Sequence, residues 1–252
     1  WDHILQDTIT YLEKAKASYY PADYARKYLV EQLLDGKKGY RWAEQIGNTI
    51  SGSKIEYLSD NEKQETKRLW HSCFPEDTDK FIEYYYSEKT KDNRILVKKD
   101  SGLIVSMTQL NPYRVSMKDK EIETFYVVGV ATDAGRRREG HFRDVFLQIM
   151  QDMNEEKVPF LFLMPADANI YLPLDFAYMC ELPLMELTRE AKERLTAVVC
   201  HDNEEDCQKA AEFMEQWLSA RFDMYCLRDG AYVSRLLKEL DSENGIMEFL
   251  YD

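Results

Sequence analysis

The apolar run Val127-Val128-Gly129-Val130-Ala131-Thr132 is followed five residues later by Arg137-Arg138-Glu139-Gly140 and then by an amphipathic stretch. A strand that turns directly into a helix leaves several N–H groups without partners at the helix N-terminus, where the macrodipole favours an anion. Glycine at position 140 lets an anionic group approach the backbone closely. The chemistry this arrangement offers is therefore the binding of a phosphate or pyrophosphate. The helix is expected from Phe142, Val145, Phe146, Ile149, Met150 and Met153, which recur at the spacing of one buried face, with Arg143, Asp144, Gln148 and Asp152 opposite.

The elements around that turn alternate. Ile55 to Leu58 reads as a strand, and Ser59 or Asp60 caps a helix that ends near Phe74-Pro75. Asp77 to Glu88 reads as a second helix, and Arg94 to Lys98 and Leu103 to Leu110 as strands joined at the hairpin turn Asp100-Ser101-Gly102. A long strand over Glu123 to Ala131 leads into the motif helix, then come a strand over Pro159 to Leu163, a short helix over Asp167 to Tyr171 and a strand over Tyr178 to Leu187. This order predicts an α/β (α+β) fold with a mixed central sheet flanked by helices.

Ahead of it, residues 1–53 read as a helical extension closed by a Ser51-Gly52-Ser53 linker, with apolar faces at Ile4, Leu5, Ile9, Leu12 and Ala15, and then from Pro21 to the stop at Gly36. After it, a strand at Val198-Val199, a helix through Ala210, Phe213, Met214 and Trp217, a helix capped by Asp229 and a strand over Ile246 to Tyr251 open a further unit. The expected division is 1–53, 54–188 and 189–252.

Composition narrows the function classes. With 44% hydrophobic and 13% aromatic residues, the chain can bury an ordinary core. No apolar run reaches the roughly 18 residues of a membrane span, so a soluble, cytoplasmic protein is expected. The first residue is Trp1 and no signal peptide follows, so the chain is expected to be a fragment of a longer one. Five cysteines without a C-x-x-C pair fit free thiols better than a disulfide framework. Cys200, His201 and Cys207 could be read as metal ligands, but their spacing fits unrelated strand-end and helix positions better, and no metal is expected. A net charge of -13 disfavours nucleic acid and suits either a cationic acceptor or plain solubility.

The turn and its flanks resemble motif A of the GNAT N-acetyltransferases, with the consensus Arg/Gln-x-x-Gly-x-Gly/Ala. Leu69-Trp70-His71-Ser72-Cys73-Phe74-Pro75 and Tyr171-Leu172-Pro173-Leu174-Asp175-Phe176-Ala177-Tyr178 resemble the Eis-like branch, and Arg228-Asp229-Gly230-Ala231-Tyr232 is similar to the opening of that branch's second GNAT-like half. Glu139 and Phe142 depart from the consensus, the first bringing negative charge beside the turn and the second a bulky ring.

The resemblance implies acetyl-CoA held by the backbone of Val128 and Val130 and by Arg137, Arg138, Gly140, His141, Phe142, Arg143 and Asn169. Tyr171 would be the general acid that protonates the departing sulfur, and Tyr84 would wall the acceptor site. Glu123 is a candidate base, although the family position falls at Tyr126. The implied activity is acetyl transfer to a primary amine of a small molecule or peptide, without nucleic acid or membrane partners and with self-association left open. The alternative is an inactive GNAT-fold module that senses CoA or binds a protein.

Overall fold

The computed structural model describes residues 54–117, 120–180 and 194–251. The extension expected over 1–53 lies outside the described residues, as does most of the strand expected over 178–187, whose described part, 178–180, is not in a strand.

Strand β1 (Lys54–Tyr57) begins the sheet, and a short 3-10 turn leads into α1 (Lys67–Cys73), followed by α2 (Asp79–Glu88). Thr78 caps α2 by accepting a hydrogen bond from the Phe81 N–H at 3.1 Å. Strands β2 (Arg94–Asp100), β3 (Leu103–Met117) and β4 (Lys120–Thr132) form an antiparallel meander. The β2–β3 turn places Ser101 (φ 52°) and Gly102 (φ 80°) in the left-handed region, as a two-residue hairpin requires. Helix α3 (His141–Glu155) crosses back to β5 (Leu161–Phe162), which pairs parallel with β4.

The sheet has two buried faces because β2 is apolar on both. Ile95 and Val97 pack with Trp70, Ile82 and Tyr85 from α1 and α2. Leu96 points the other way, to Phe146, Ile149 and Met153 of α3.

Strand β3 is longer than its apolar pattern predicts, running to Met117 through Pro112. Pro112 falls beyond Leu110, the last β3 residue paired with β2, and before Val115, where another strand takes up that edge. Its missing N–H therefore breaks no ladder bond. The strand expected over 159–163 contracts to two residues, because β5 pairs with β4 only at Phe125↔Leu161 and Tyr126↔Phe162 before the two diverge.

Residues after 194 form β6 (Thr196–Val199), α4 (Glu204–Ser219), β7 (Met224–Cys226), α5 (Gly230–Ser242) and β8 (Glu248–Tyr251). They have a small core of their own, with Cys200, Cys207, Ala210, Ala211 and Val233. Cys200 and Cys207 are buried in that core. The segment is also bonded to the main sheet. Strand β7, which the sequence pattern does not reveal, pairs with β3 at Val115↔Cys226. Arg114 bridges Asp229 at 2.7 Å, and Arg235 bridges Asp92 at 2.9 Å.

One irregularity positions the site. Between Met107↔Ala131 and Gln109↔Val128, β4 has two residues against one of β3, a bulge at Gly129 with φ 58°. A Cβ at Gly129 would lie 2.8 Å from Cζ3 of Trp70 and 3.2 Å from Cγ of Gln109. Trp70 cannot yield, since its Nε1 donates to Asp77 at 2.7 Å and its ring meets Tyr85 at 4.6 Å. Gly129→Ala is therefore expected to cost about 2–4 kcal/mol, from left-handed backbone strain and overpacking together. Urea denaturation checks this, and a midpoint equal to that of the unmodified chain would show that the bulge tolerates a side chain.

Candidate functional site

Where β5 leaves β4, the edge of Val127–Ala131 that would face β5 has no strand partner among the described residues. Val128 lies half-buried against the α1/α2 core and Val130 against the α3 core. The bulge between them interrupts the alternation of the strand.

The turn into α3 follows directly. Arg138 (φ 67°) and Gly140 (φ 85°) are both left-handed, and no side chain caps α3. Nothing lies within 4 Å of the position a Gly140 Cβ would take, so the backbone is open to a ligand there. Arg137, Arg138 and Arg143 are exposed at this end. Arg137 is aimed back at the strand, its Nε donating to the Thr132 carbonyl at 3.3 Å.

Glu139, the acidic departure at this turn, is paired. Its Oε2 accepts from Arg136 Nε at 2.8 Å and lies 3.1 Å from His141 Nε2, and these contacts hold its carboxyl below the usual range. Arg136 also bridges Asp100 at 2.6 Å. His141 is buried, and its Nδ1 has no hydrogen-bond partner.

Phe142 has a structural use that the consensus does not predict. Its ring meets Phe146 at 4.8 Å and Tyr171 at 5.9 Å, and Tyr171 in turn meets Phe146 and Phe176, each at 5.7 Å. Tyr171 follows the 3-10 turn Ala168–Ile170, where Asn169 is fixed through its backbone N and Nδ2 to Asp167 Oδ1, both at 2.9 Å.

Tyr126 approaches the gap from the opposite face of the sheet. It pairs in register with Phe162 and with Asn111, whose Oδ1 accepts from the Tyr85 hydroxyl at 3.0 Å. Burial, and then the neighbouring Tyr126, raise the Tyr171 phenol above its ordinary value, and burial raises Tyr126 as well. Both phenols are thus proton donors at neutral pH.

Glu123 stands three residues before Tyr126 in an unbroken register, so it faces the other side of the sheet and is exposed. Tyr84 does not reach the gap. It is 6% exposed, and its hydroxyl donates to Glu239 at 2.9 Å and to the Arg235 carbonyl at 3.1 Å on α5.

Sequence reasoning missed Tyr113 and Phe162, whose rings meet Tyr126 at 6.0 and 5.3 Å. No local pattern signals this, because the three rings come from three different strands. A separate pocket of about 510 Å³, lined by Tyr57, Asp60, Lys63, Arg94 and Glu156, lies at the far end of α3, and its charges are paired within it.

A family model described as an acetyltransferase (GNAT) domain matches residues 54–179. No curated protein matches the chain. Among solved structures, a conserved protein of unknown function from Enterococcus faecalis, described as a probable N-acyltransferase, is similar at TM-score 0.46 and 16% identity, over 49% of this chain and 31% of that one. A GCN5-related N-acetyltransferase from Kribbella flavida is similar at TM-score 0.43 and 15% identity, over 48% of this chain and 32% of that one. A predicted acetyltransferase from Clostridium acetobutylicum, solved with acetyl-CoA, is similar at TM-score 0.47 and 10% identity, over 53% and 96%. The chain thus spans about a third of the length of the first two. Because the domain model accounts for half of its residues, the chain belongs to the GNAT acetyltransferase family.

Proposed function

We propose that the chain is an acetyl-CoA-dependent N-acetyltransferase of the Eis-like branch, acting on a primary amine in the cytoplasm. The observation that carries this reading is the convergence of two features at the end of β4: an uncapped α3 N-terminus with open space above Gly140, and a phenol, Tyr171, held by rings beside the gap between β4 and β5. The branch assignment rests on residues to which the fold gives work. Trp70 fills the hollow under Gly129, and Tyr171 and Phe176 complete the ring cluster against α3. The compartment rests on the five unpaired thiols. No helix among the described residues is long and apolar enough to cross a membrane.

The residues fit the cofactor. Backbone N–H groups of the first turn of α3 would receive its pyrophosphate, with Arg137, Arg138 and Arg143 adding charge and Asn169 flanking the gap from the far side. When bound, acetyl-CoA supplies an acetyl group activated as a thioester. The backbone of Val128 and Val130, beside the unpaired edge of β4, would orient the thioester carbonyl. The Tyr171 hydroxyl holds the proton that the sulfur needs on leaving, and its raised pKa keeps that proton in place until the thiolate forms. Tyr84 acts at one remove, by anchoring Glu239 and with it α5 on the acceptor side.

The second reading is an inactive module that senses CoA or binds a protein. What favours it is Glu139, a carboxylate beside the phosphate turn. Its pairing with Arg136 and His141 weakens that objection.

Two measurements test the proposal. Gly140→Val places a side chain in the open space and should abolish acetyl-CoA binding in a calorimetric titration, while left-handed strain costs about 1–2 kcal/mol of stability. Affinity equal to that of the unmodified chain would move the phosphates off this turn. Tyr171→Phe keeps the ring packing and should lower turnover by about 10²-fold with cofactor affinity nearly intact. Tyr171→Ala should also cost about 2–3 kcal/mol of stability by emptying the ring cluster. Full turnover in the Phe variant would end the general-acid role.

A further inference from the structure

A closed circuit of hydrogen bonds is buried in the core that α1 and α2 form with the sheet. Lys63 Nζ donates to the Asn93 carbonyl at 2.8 Å. Asn93 Nδ2 donates to Gln109 Oε1 at 2.8 Å, and Gln109 Nε2 donates to the Tyr86 hydroxyl at 3.3 Å. The Tyr86 hydroxyl lies 2.6 Å from Thr66 Oγ1, and Thr66 Oγ1 donates to the Lys63 carbonyl at 2.7 Å. Because the one Thr66 hydroxyl proton is used there, Tyr86 is the donor to Thr66, and the circuit runs in a single direction. Lys63, Thr66, Tyr86, Asn93 and Gln109 are all buried, Gln109 completely.

Gln109 is the member of this circuit that reaches the site. It pairs with Val128 beside the bulge, on the same face of the sheet, and its Cγ stands 3.2 Å from the place a Gly129 Cβ would take. Trp70 closes the hollow under Gly129 from the helix side, and Gln109 closes it from the strand side. An apolar side chain of similar length would fill the same space, and buried polar groups are often no more stabilising than well-packed apolar ones. What the amide adds is direction. Bonded at both its oxygen and its nitrogen, it cannot turn without breaking a buried hydrogen bond, whereas Met in its place is free to change rotamer.

We propose that Gln109 is a positioning residue for the transfer: fixed by the circuit, its side chain backs Gly129 and holds the bulge in the register that sets the backbone of Val128 and Val130 at the edge of the gap. This rests on the acetyltransferase reading and adds to it a residue that acts through the main chain of β4.

The test measures thiol release from acetyl-CoA with lysine methyl ester, phenethylamine or spermidine, whichever the unmodified chain turns over fastest, for Gln109→Met, Tyr86→Phe and Thr90→Val. Gln109→Met keeps the length of the side chain and loses both amide bonds. It should lower kcat by about tenfold or more with the KM for acetyl-CoA unchanged, since the turn into α3 is left intact. Tyr86→Phe removes the partner of Gln109 Nε2 without altering Gln109 or β4, and should lower kcat in the same way but less. Thr90→Val removes a buried hydrogen bond outside the circuit, from Thr90 Oγ1 to the Tyr86 carbonyl at 2.8 Å, and should lower the melting temperature with kcat unchanged. Unchanged kcat in both Gln109→Met and Tyr86→Phe, or an equal loss in Thr90→Val, would overturn the assignment and leave Gln109 a packing residue. If no amine is turned over, the acetyltransferase reading itself fails, and amide hydrogen exchange then decides the positioning role separately. Exchange at Gly129 and Val130 that quickens in Tyr86→Phe but not in Thr90→Val upholds it, and equal exchange at those amides in the two variants refutes it.

Discussion

Trp70 against Gly129 is the contact on which the arrangement of the site depends. The indole is fixed by Asp77 and by its stack with Tyr85, and the left-handed Gly129 is the position at which β4 gives way to it. The bulge that results comes three residues after the last β4–β5 pair, so β4 is rotated out of step with β5 where the two separate. A regular strand would have continued the ladder and closed the gap. The helix at the front of the domain therefore shapes an edge some sixty residues later in the chain.

Around that gap the molecule uses the two faces of the sheet differently. On the α3 side, Phe142, Phe146, Phe176 and Tyr171 form a tight ring cluster that fixes one phenol. On the other side, Tyr113, Tyr126 and Phe162 are half-buried and pack on one another. Tyr126, the last residue of β4 paired with β5, and Tyr171 come from opposite layers.

The segment after residue 194 is tied to this geometry. Strand β7 lengthens the sheet beside β3, and Tyr84, Lys89, Asp92 and Arg114 hold α5 and its cap through Glu239, Arg235 and Asp229. Exposed ion pairs of this kind contribute little singly. Together with a β-ladder they hold α5 against α2 and the end of β3.

Local pattern was enough for much of this. The strand, the Arg-x-x-Gly turn and the amphipathic helix from Phe142 to Met153 could be read from spacing, because each depends on residues a few positions apart. So could the Ser101-Gly102 hairpin and the Asp229 cap. The short β5, the run of β3 through Pro112 and strand β7 could not, since each depends on where a distant partner strand begins or ends. Tyr84 was expected beside the acceptor because the family resemblance puts its region on that wall, but only the packing of α5 shows that its hydroxyl is occupied. Phe142 looked like an obstacle until its contact with Tyr171 was seen. Sequence alone determined the α/β order and the glycine turn that opens α3, which are set by local periodicity and backbone freedom. The side chains that share the gap were decided by tertiary structure, because a strand bulge and a diverging pair change which groups meet without altering any local pattern.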